Sequence, residues 1–124
     1  MAKILIVEDS PTISLFYQEL FKKNGYEVLV ASDGLSALNL ATKEVPNLVL
    51  LDIMLPGMNG IKVCAMLKKS EVLESMKVVM LTGNPNEKEL GKEVGADEYL
   101  TKDCEPSQVL KVVKRLLLKP DNPL

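Results

Sequence analysis

Three carboxylates follow two of the most apolar runs in this chain. Glu8 and Asp9 come directly after the run 4–7, and Asp52 comes directly after the run 48–51. If both runs are buried parallel strands, all three side chains lie at the carboxyl edge of one sheet, where open α/β sheets bind their ligands. Two like charges about 4 Å apart repel by roughly 4 kcal/mol at an effective dielectric constant near 20. The cluster therefore indicates a cation site, and its all-oxygen ligands favour Mg²⁺ or Ca²⁺.

Two further polar residues follow predicted strands. Thr82 ends the fourth strand candidate, and Lys102 follows the fifth by two residues. A sheet ordered 2-1-3-4-5 would bring both residues to one crevice with Asp9 and Asp52. This set suits phosphoryl transfer to a carboxylate, because an aspartate is ionised at neutral pH and needs no general base to attack phosphorus. A divalent cation would neutralise charge, while lysine and threonine would contact phosphoryl oxygens.

The elements that must position these residues alternate along the chain. Short runs rich in Val, Ile and Leu predict strands buried on both faces. The strand candidates are residues 3–7, 26–30, 47–51, 77–81 and 98–100. Between and after them, helical stripes comprise Ile13, Phe16, Tyr17, Leu20 and Phe21; Leu35, Leu38, Ala41 and Val45; Ile61, Cys64, Ala65 and Leu67; Leu90 and Val94; and Val109, Leu110, Val112, Val113, Leu116 and Leu117. This alternation predicts an α/β fold, a doubly wound (βα)5 flavodoxin-like three-layer sandwich with a parallel five-stranded sheet ordered 2-1-3-4-5.

Turn and cap residues mark several boundaries. Ser10-Pro11 predicts the start of a helix, and Asn24-Gly25 predicts a helix end. Pro56-Gly57 and Asn59-Gly60 predict a turn before the third helix. The sequence shows no linker or internal repeat, so we predict one domain over residues 1–118 and a short C-terminal tail over residues 119–124.

Composition narrows the classes of function. A chain of 124 residues can bury one core, and a net charge of −2 gives no general attraction to nucleic acid or to an anionic membrane. Neither a signal peptide nor an apolar stretch of about 18 residues is present, so we expect no membrane insertion and a cytoplasmic location. Cys64 and Cys104 are too few for a disulfide framework or a zinc site, and Cys64 should be a small core residue. The sequence contains no histidine, which excludes a Ser-His or Cys-His nucleophile pair.

Four stretches, taken together and in this order, resemble the receiver domain of two-component response regulators, of the stand-alone, chemotaxis-regulator-like kind. The stretches are residues 4–9, 50–60, 81–83 and 95–102, and the resemblance extends from about Ile4 to Leu117. It implies a phosphorylation-dependent signalling switch in which Asp52 is the phosphoacceptor. Glu8, Asp9, Asp52 and the backbone carbonyl of Met54 would hold Mg²⁺, with Mn²⁺ or Ca²⁺ as substitutes.

The same resemblance implies roles for the residues around the acceptor. Lys102 would pair with the phosphoryl group, Thr82 would be the switch hydroxyl, and Tyr99 the switch aromatic. Met54 and Asn84 occupy the positions that modulate access of the hydrolytic water, so we expect the phosphoryl lifetime to depend on both. The domain would catalyse its own aspartyl phosphorylation and dephosphorylation, with no conventional activity on a separate substrate.

The chain departs from the family pattern after the lysine. Asp103 replaces the usual proline, whose preceding peptide is often cis in the family. A cis bond before a non-proline residue costs roughly 2.5–4 kcal/mol, so we expect a trans peptide or local strain. Glu105 stands where Ser or Thr more often caps the last helix, which predicts a weakly capped start at Pro106.

The resemblance also implies partners. The donor would be a phosphohistidine on a sensor histidine kinase or a histidine phosphotransfer protein. Because the chain ends soon after the fifth helix, we expect output through contact with a downstream protein, at a face formed by the fourth helix, fifth strand and fifth helix. Basic residues mark that last helix: Lys111, Lys114, Arg115 and Lys119. They indicate either a solvated face or docking to an acidic partner or a second copy, including a homodimer formed on phosphorylation. Whether the chain is a stand-alone regulator, a phosphorelay intermediate or part of a longer protein stays open.

Three alternatives come from other classes. A flavodoxin-like FMN carrier would place a Ser/Thr/Gly-rich phosphate cradle after the first strand, where Glu8 and Asp9 would repel a phosphate. A phosphoaspartate hydrolase would have a second aspartate two positions after Asp52, where this chain has Met54. A degenerate receiver that acts as a phosphorylation-independent binding scaffold is the strongest alternative.

Overall fold

A computed structural model describes residues 1–73 and 75–118 of the chain. Within these ranges the elements are β1 (Lys3–Val7), α1 (Pro11–Lys23), β2 (Glu27–Ala31), α2 (Gly34–Glu44), β3 (Leu48–Leu51), α3 (Gly60–Lys69), β4 (Lys77–Thr82), α4 (Lys88–Glu93), β5 (Glu98–Thr101) and α5 (Pro106–Leu118), with short 3-10 turns at Glu71–Leu73 and Pro85–Glu87. The strands form one parallel sheet in the order β2-β1-β3-β4-β5, which confirms the predicted fold class. The predicted tail, residues 119–124, lies outside the described residues.

The central strands are buried on both faces. In β1, Ile4 and Ile6 pack into one hydrophobic core, and Leu5 and Val7 pack into the other. Successive side chains of a strand point to opposite faces, so a strand covered on both sides must be apolar throughout. This requirement explains why the strand sequences barely alternate between apolar and polar residues.

Helices complete the two cores and form the outer layers. Tyr17 and Phe21 of α1 and Val109 of α5 belong to the core on one face of the sheet. Ala41 of α2 and Cys64 of α3 belong to the core on the other face, where the burial of Cys64 confirms its predicted place. Within the described residues, no helix is long and apolar enough to cross a membrane.

The helical stripes differ from prediction in α2. Leu35 and Val45 are exposed, and Val45 lies just beyond the helix with a φ of 46°. The buried side chains are Ala37 and Ala41, which are small and therefore let α2 lie close to the sheet. Strand ends shift by a residue in places: β2 begins at Glu27 rather than at residue 26.

Local signals at the helix ends agree with the structure. The hydroxyl of Ser10 accepts a hydrogen bond from the backbone N–H of Ile13 and caps α1, whose first residue is Pro11. The side chain of Asn59 caps α3 by accepting from Ile61 at 2.6 Å. These caps satisfy backbone donors that have no partner within the helix.

Gly60, the first residue of α3, closes the loop that follows the Asp52 strand. Its N–H donates to the carbonyl oxygen of Ile53 at 2.7 Å. A Cβ on this residue would lie 2.6 Å from the Cα of Ile53 and still closer to the carbonyl oxygen of Asp52. Only glycine therefore allows α3 to begin this near the backbone that presents Asp52.

Replacing Gly60 with alanine should destabilise the protein by about 2–4 kcal/mol, because backbone atoms of the Asp52 loop must move to admit the methyl group. Urea unfolding monitored by circular dichroism measures the loss. Gly83→Ala is the matched control, since a Cβ there has no heavy atom within 4 Å, and it should change stability by less than about 0.5 kcal/mol. Equal unfolding midpoints for the two variants would contradict this account of Gly60.

Candidate functional site

The three predicted carboxylates lie together at the carboxyl edge of the sheet. Glu8 and Asp9 follow β1, Asp52 follows β3, and β1 and β3 are hydrogen-bonded neighbours. Each side chain offers an oxygen, and these oxygens all lie within 4.8 Å of one another. Glu8 and Asp52 are buried, whereas Asp9 is exposed, so the cluster opens to solvent on one side.

Lys102 joins the two buried carboxylates. Its Nζ lies 3.0 Å from Oδ2 of Asp52 and 3.0 Å from Oε1 of Glu8. The backbone N–H of Lys102 donates to the carbonyl oxygen of Thr82 at 2.8 Å, which continues the pairing of β4 and β5 beyond Thr101. The lysine is therefore positioned by the sheet itself and reaches across the ends of β4 and β3 to β1.

Burial and charge oppose each other at the site. Burial raises the pKa of Glu8 above its ordinary value, and repulsion from Asp52 adds to this; hydrogen bonds from Lys102 and from the backbone of Ser10 lower it in part. For Lys102, burial acts to lower the pKa, but hydrogen bonds and attraction to Asp52 and Glu8 outweigh burial and raise it. Lys102 is thus held in its charged form between two carboxylates.

Thr82 and Tyr99 are connected through the backbone of Asn84. Thr82 is fully buried, and its Oγ1 accepts a hydrogen bond from the N–H of Asn84 at 3.3 Å. The hydroxyl of Tyr99 donates to the carbonyl oxygen of the same Asn84. Both groups predicted to act in the switch therefore bond to opposite ends of one residue in the β4–α4 loop.

Met54 lies at the mouth of the site. Its side chain is 69% exposed, and its N–H donates to Oδ1 of Asp52 at 3.3 Å. The side chain of Asn84 points to its own loop, because its Oδ1 accepts from the N–H of Asn86 at 2.9 Å. The backbone of Met54 thus helps to orient the carboxylate of Asp52.

The loop after Lys102 is ordered by local bonds. The peptides in the described residues are all trans, including the one between Lys102 and Asp103, as expected for a non-proline residue. The carboxylate of Asp103 accepts from the hydroxyl of Thr101, and the N–H of Cys104 donates to the carbonyl oxygen of Thr101 at 3.0 Å. Asp103 therefore replaces the family proline with a hydrogen-bonded turn. The Cys104 thiol is half-buried in this turn. Burial raises the pKa of the thiol, and repulsion from the negative charge of Asp103 adds a smaller increase.

Two features near the site were missed from sequence. A groove of about 340 Å³ opens beside Lys102, with Ile13, Phe16, Tyr17 and Cys104 among its lining residues. Phe16, assigned to the core by its helical spacing, is 47% exposed in this groove. Periodicity shows which residues share a face of a helix. It does not show how much of that face the sheet and the neighbouring helices cover.

A parallel sheet ordered 2-1-3-4-5 with a lysine-bridged acidic cluster at its carboxyl edge defines a doubly wound α/β protein whose clustered carboxylate oxygens lie within 4.8 Å of one another. The family model of the response regulator receiver domain matches residues 4–114, and the chain belongs to this family.

Relatives place the domain in several settings. The chain is 40% identical over 121 residues to the alkaline phosphatase synthesis transcriptional regulatory protein PhoP of Bacillus subtilis, a match that covers 96% of this chain and 50% of that protein. The chain thus spans half the length of this curated relative. The signal receiver domain of a signal transduction histidine kinase from Syntrophus aciditrophicus has a TM-score of 0.88 and 31% identity, covering 100% of this chain and 98% of that one. The BeF3-activated N-terminal receiver domain of RstA from Klebsiella pneumoniae has a TM-score of 0.87 and 32% identity, covering 94% and 99%.

Replacing Lys102 with methionine should destabilise the metal-free protein at neutral pH by about 1–3 kcal/mol, because Glu8 and Asp52 would remain buried without a counter-charge. The lysine's contribution is present below its ordinary pKa of 10.5 and is lost only as pH rises through the raised pKa in the fold. The deficit of the variant should therefore persist to about pH 10 and shrink in acid, as Glu8 becomes protonated.

Urea unfolding of both proteins across pH measures this difference. Lys3→Met is the matched control, since Lys3 pairs with Glu44 at 3.2 Å at the opposite end of β1 and lies outside the acidic cluster. A Lys102→Met deficit no larger than that of Lys3→Met would show that Lys102 does not neutralise the cluster.

Proposed function

We propose that the chain is a phosphorylation switch that accepts a phosphoryl group on Asp52, in the presence of Mg²⁺, from a phosphohistidine of a sensor histidine kinase or a histidine phosphotransfer protein. The observation that carries this proposal is the pairing of Asp52 with Lys102 at 3.0 Å, within reach of two more carboxylates. Family membership supports phosphorylation signalling in general. The residue roles that follow are proposals for this chain.

The donor set fits a divalent cation. Glu8, Asp9 and Asp52 contribute three negative charges and Lys102 contributes one positive charge, so two negative charges are left over. Carboxylate oxygens are the ligands that hard cations prefer. We propose that these three side chains and the backbone carbonyl of Met54 hold Mg²⁺, with Mn²⁺ or Ca²⁺ as substitutes. When bound, the ion neutralises charge on the acceptor and on the phosphoryl oxygens.

The chain's own residues position the reaction. A carboxylate oxygen of Asp52 forms a bond to phosphorus as the bond from phosphorus to the donor's imidazole nitrogen breaks, and that nitrogen keeps the electron pair and takes up a proton. Lys102 then pairs with a phosphoryl oxygen and offsets its charge. The hydroxyl of Thr82 gives up its bond from Asn84 and donates to another phosphoryl oxygen. Hydrolysis of the phosphoaspartate reverses the change.

Output is proposed to pass through α4, β5 and α5. Tyr99 belongs to β5 and links the loop of Thr82 to this face, so a movement of Thr82 reaches it through Asn84. The downstream partner is a protein or, on phosphorylation, a second copy of the domain. We take residues 1–118 as the domain and the cytoplasm as its location, which suits the two free cysteines.

The alternative is a degenerate receiver that binds partners without phosphorylation. The replacement of the family proline by Asp103 is the feature that favours it. The intact set of five residues argues against it: Glu8, Asp9, Asp52, Thr82 and Lys102. A scaffold has no need to bury the charges of Glu8 and Asp52, which costs folding free energy.

Acetyl phosphate with Mg²⁺ should add one phosphoryl group to the protein, and the Asp52→Asn variant should add none, because it lacks the acceptor. Intact mass spectrometry with and without Mg²⁺ measures the gain.

Mg²⁺ alone should raise the melting temperature of the protein, because a ligand that binds only the native state stabilises it by about 2.7 kcal/mol at 100 times its Kd.

The stable mimic beryllofluoride separates the remaining outcomes. A folded wild type that gains no mass but binds beryllofluoride has a short-lived phosphoaspartate. A folded protein that neither gains mass nor binds beryllofluoride would support the degenerate receiver and overturn the switch.

The decay rate of the phosphoaspartate should depend on Met54 and Asn84. Met54 offers no hydrogen bond to orient a water molecule, so Met54→Gln should change the half-life by about two- to tenfold, and substitution of Asn84 should alter it further. Loss of phosphoryl mass over time measures the rate. Met66→Gln, at an exposed methionine on α3, is the matched control. An unchanged rate after substitution of both Met54 and Asn84 would refute their role.

A further inference from the structure

Tyr99 lies inward between β4 and α4. Its residue is 9% exposed, its strand neighbour is Met80, and its hydroxyl bonds to the carbonyl oxygen of Asn84. Burial raises the pKa of this hydroxyl. The ring therefore fills a defined space, and α4 forms one wall of it.

That wall is Gly91. A Cβ at this residue would lie 2.9 Å from Cδ2 and 3.2 Å from Cε2 of Tyr99, and 3.1 Å from Sδ of Met80. Carbon atoms in contact are normally about 3.5–4.0 Å apart. Any side chain at residue 91 would therefore compete with the inward ring for the same space.

A glycine at this position weakens the helix. α4 spans Lys88–Glu93, its N-cap residue Glu87 makes no side-chain capping bond, and Gly91 lies in its interior. Glycine inside a helix is less favourable than alanine, and so short a helix depends on packing. The position of the Tyr99 ring gives a physical reason for this costly residue.

We propose that Gly91 is a positioning residue that admits Tyr99 to its inward place and thereby couples the α4 surface to Thr82 and the phosphoacceptor. The inference rests on the proposed switch. The coupling path is short: Gly91 contacts the ring, the ring bonds to Asn84, and Asn84 bonds to Thr82. If phosphorylation favours the inward ring, a change that disfavours the inward ring weakens binding at the phosphorylation site, because coupling between sites is reciprocal.

The test is a double-mutant cycle of Gly91→Ala and Tyr99→Ala, read by the apparent affinity for beryllofluoride in the presence of Mg²⁺. Gly91→Ala should weaken this affinity by about three- to tenfold when Tyr99 is present. It should have no more than about a twofold effect in the Tyr99→Ala background, where the added methyl group meets no ring. Glu93→Ala, at an exposed residue of the same helix, is the control for general changes in α4.

Urea unfolding of the same four proteins tests the contact independently of the phosphorylation site. Gly91→Ala should lower the unfolding midpoint when Tyr99 is present. In the Tyr99→Ala background it should raise the midpoint, because alanine favours the helix, the clash with the ring is gone and the flexible Met80 side chain can adjust. The aromatic NMR signals of Tyr99 should also shift in Gly91→Ala and not in Glu93→Ala.

The outcomes separate the hypotheses. Equal losses of affinity in both backgrounds, or no loss in either, would overturn the coupling. If Gly91→Ala fails to fold but the double variant folds, the steric contact is supported and affinity is compared between Tyr99→Ala and the double variant. If neither folds, the proposal is wrong. A wild type that binds no beryllofluoride would reject the switch itself. The packing of Gly91 against Tyr99 would still be supported if Gly91→Ala lowers the unfolding midpoint when Tyr99 is present and raises it in the Tyr99→Ala background.

Discussion

The contact of one ammonium group with two buried carboxylates organises the carboxyl edge of this sheet. Neighbouring parallel strands have their carboxyl ends at the same edge of the sheet. The pairing of β1 with β3 therefore brings Glu8 and Asp52 together although their negative charges repel. Lys102 extends from the end of β5 and places one positive charge 3.0 Å from a carboxylate oxygen of each residue. Asp9 remains exposed beside the pair and leaves the cluster net negative. The fold thus keeps an excess of negative charge at this edge, which is the charge that the proposed cation would neutralise.

A second constraint connects this edge to the surface. Thr82 and Tyr99 belong to adjacent strands, and both bond to the backbone of Asn84. In the proposed switch, the Thr82 hydroxyl gives up its bond from the N–H of Asn84, and the carbonyl oxygen of this same residue accepts from Tyr99. The helix above the ring is short and contains Gly91 where the ring approaches. A weakly stable helix over a buried aromatic ring is an element that a small change in hydrogen bonding can displace.

The relatives contain similar domains within proteins of different kinds. Similar chains occur in a transcriptional regulatory protein about twice as long and in a histidine kinase. Because similar domains occur in proteins of both kinds, the fold does not by itself specify the output. In this chain the surface carries its own features: Asp103 in a hydrogen-bonded turn after Lys102, and an exposed Phe16 beside it.

Much of the molecule was determined by sequence alone, because its signals are local. Unbroken apolar runs indicate buried parallel strands, and residues such as Ser10, Pro11 and Asn59 mark helix starts by capping chemistry that acts over three residues. The order of polar residues after those strands was enough to predict the acidic cluster and the position of Lys102. The tertiary structure decided what depends on distances between elements. It selected Ala37 and Ala41 rather than Leu35 and Val45 to face the core, since the spacing between helix and sheet determines which side chains fit. It also revealed the roles of Gly60 and Gly91, because the absence of a side chain has meaning only when the atoms that would meet it are known.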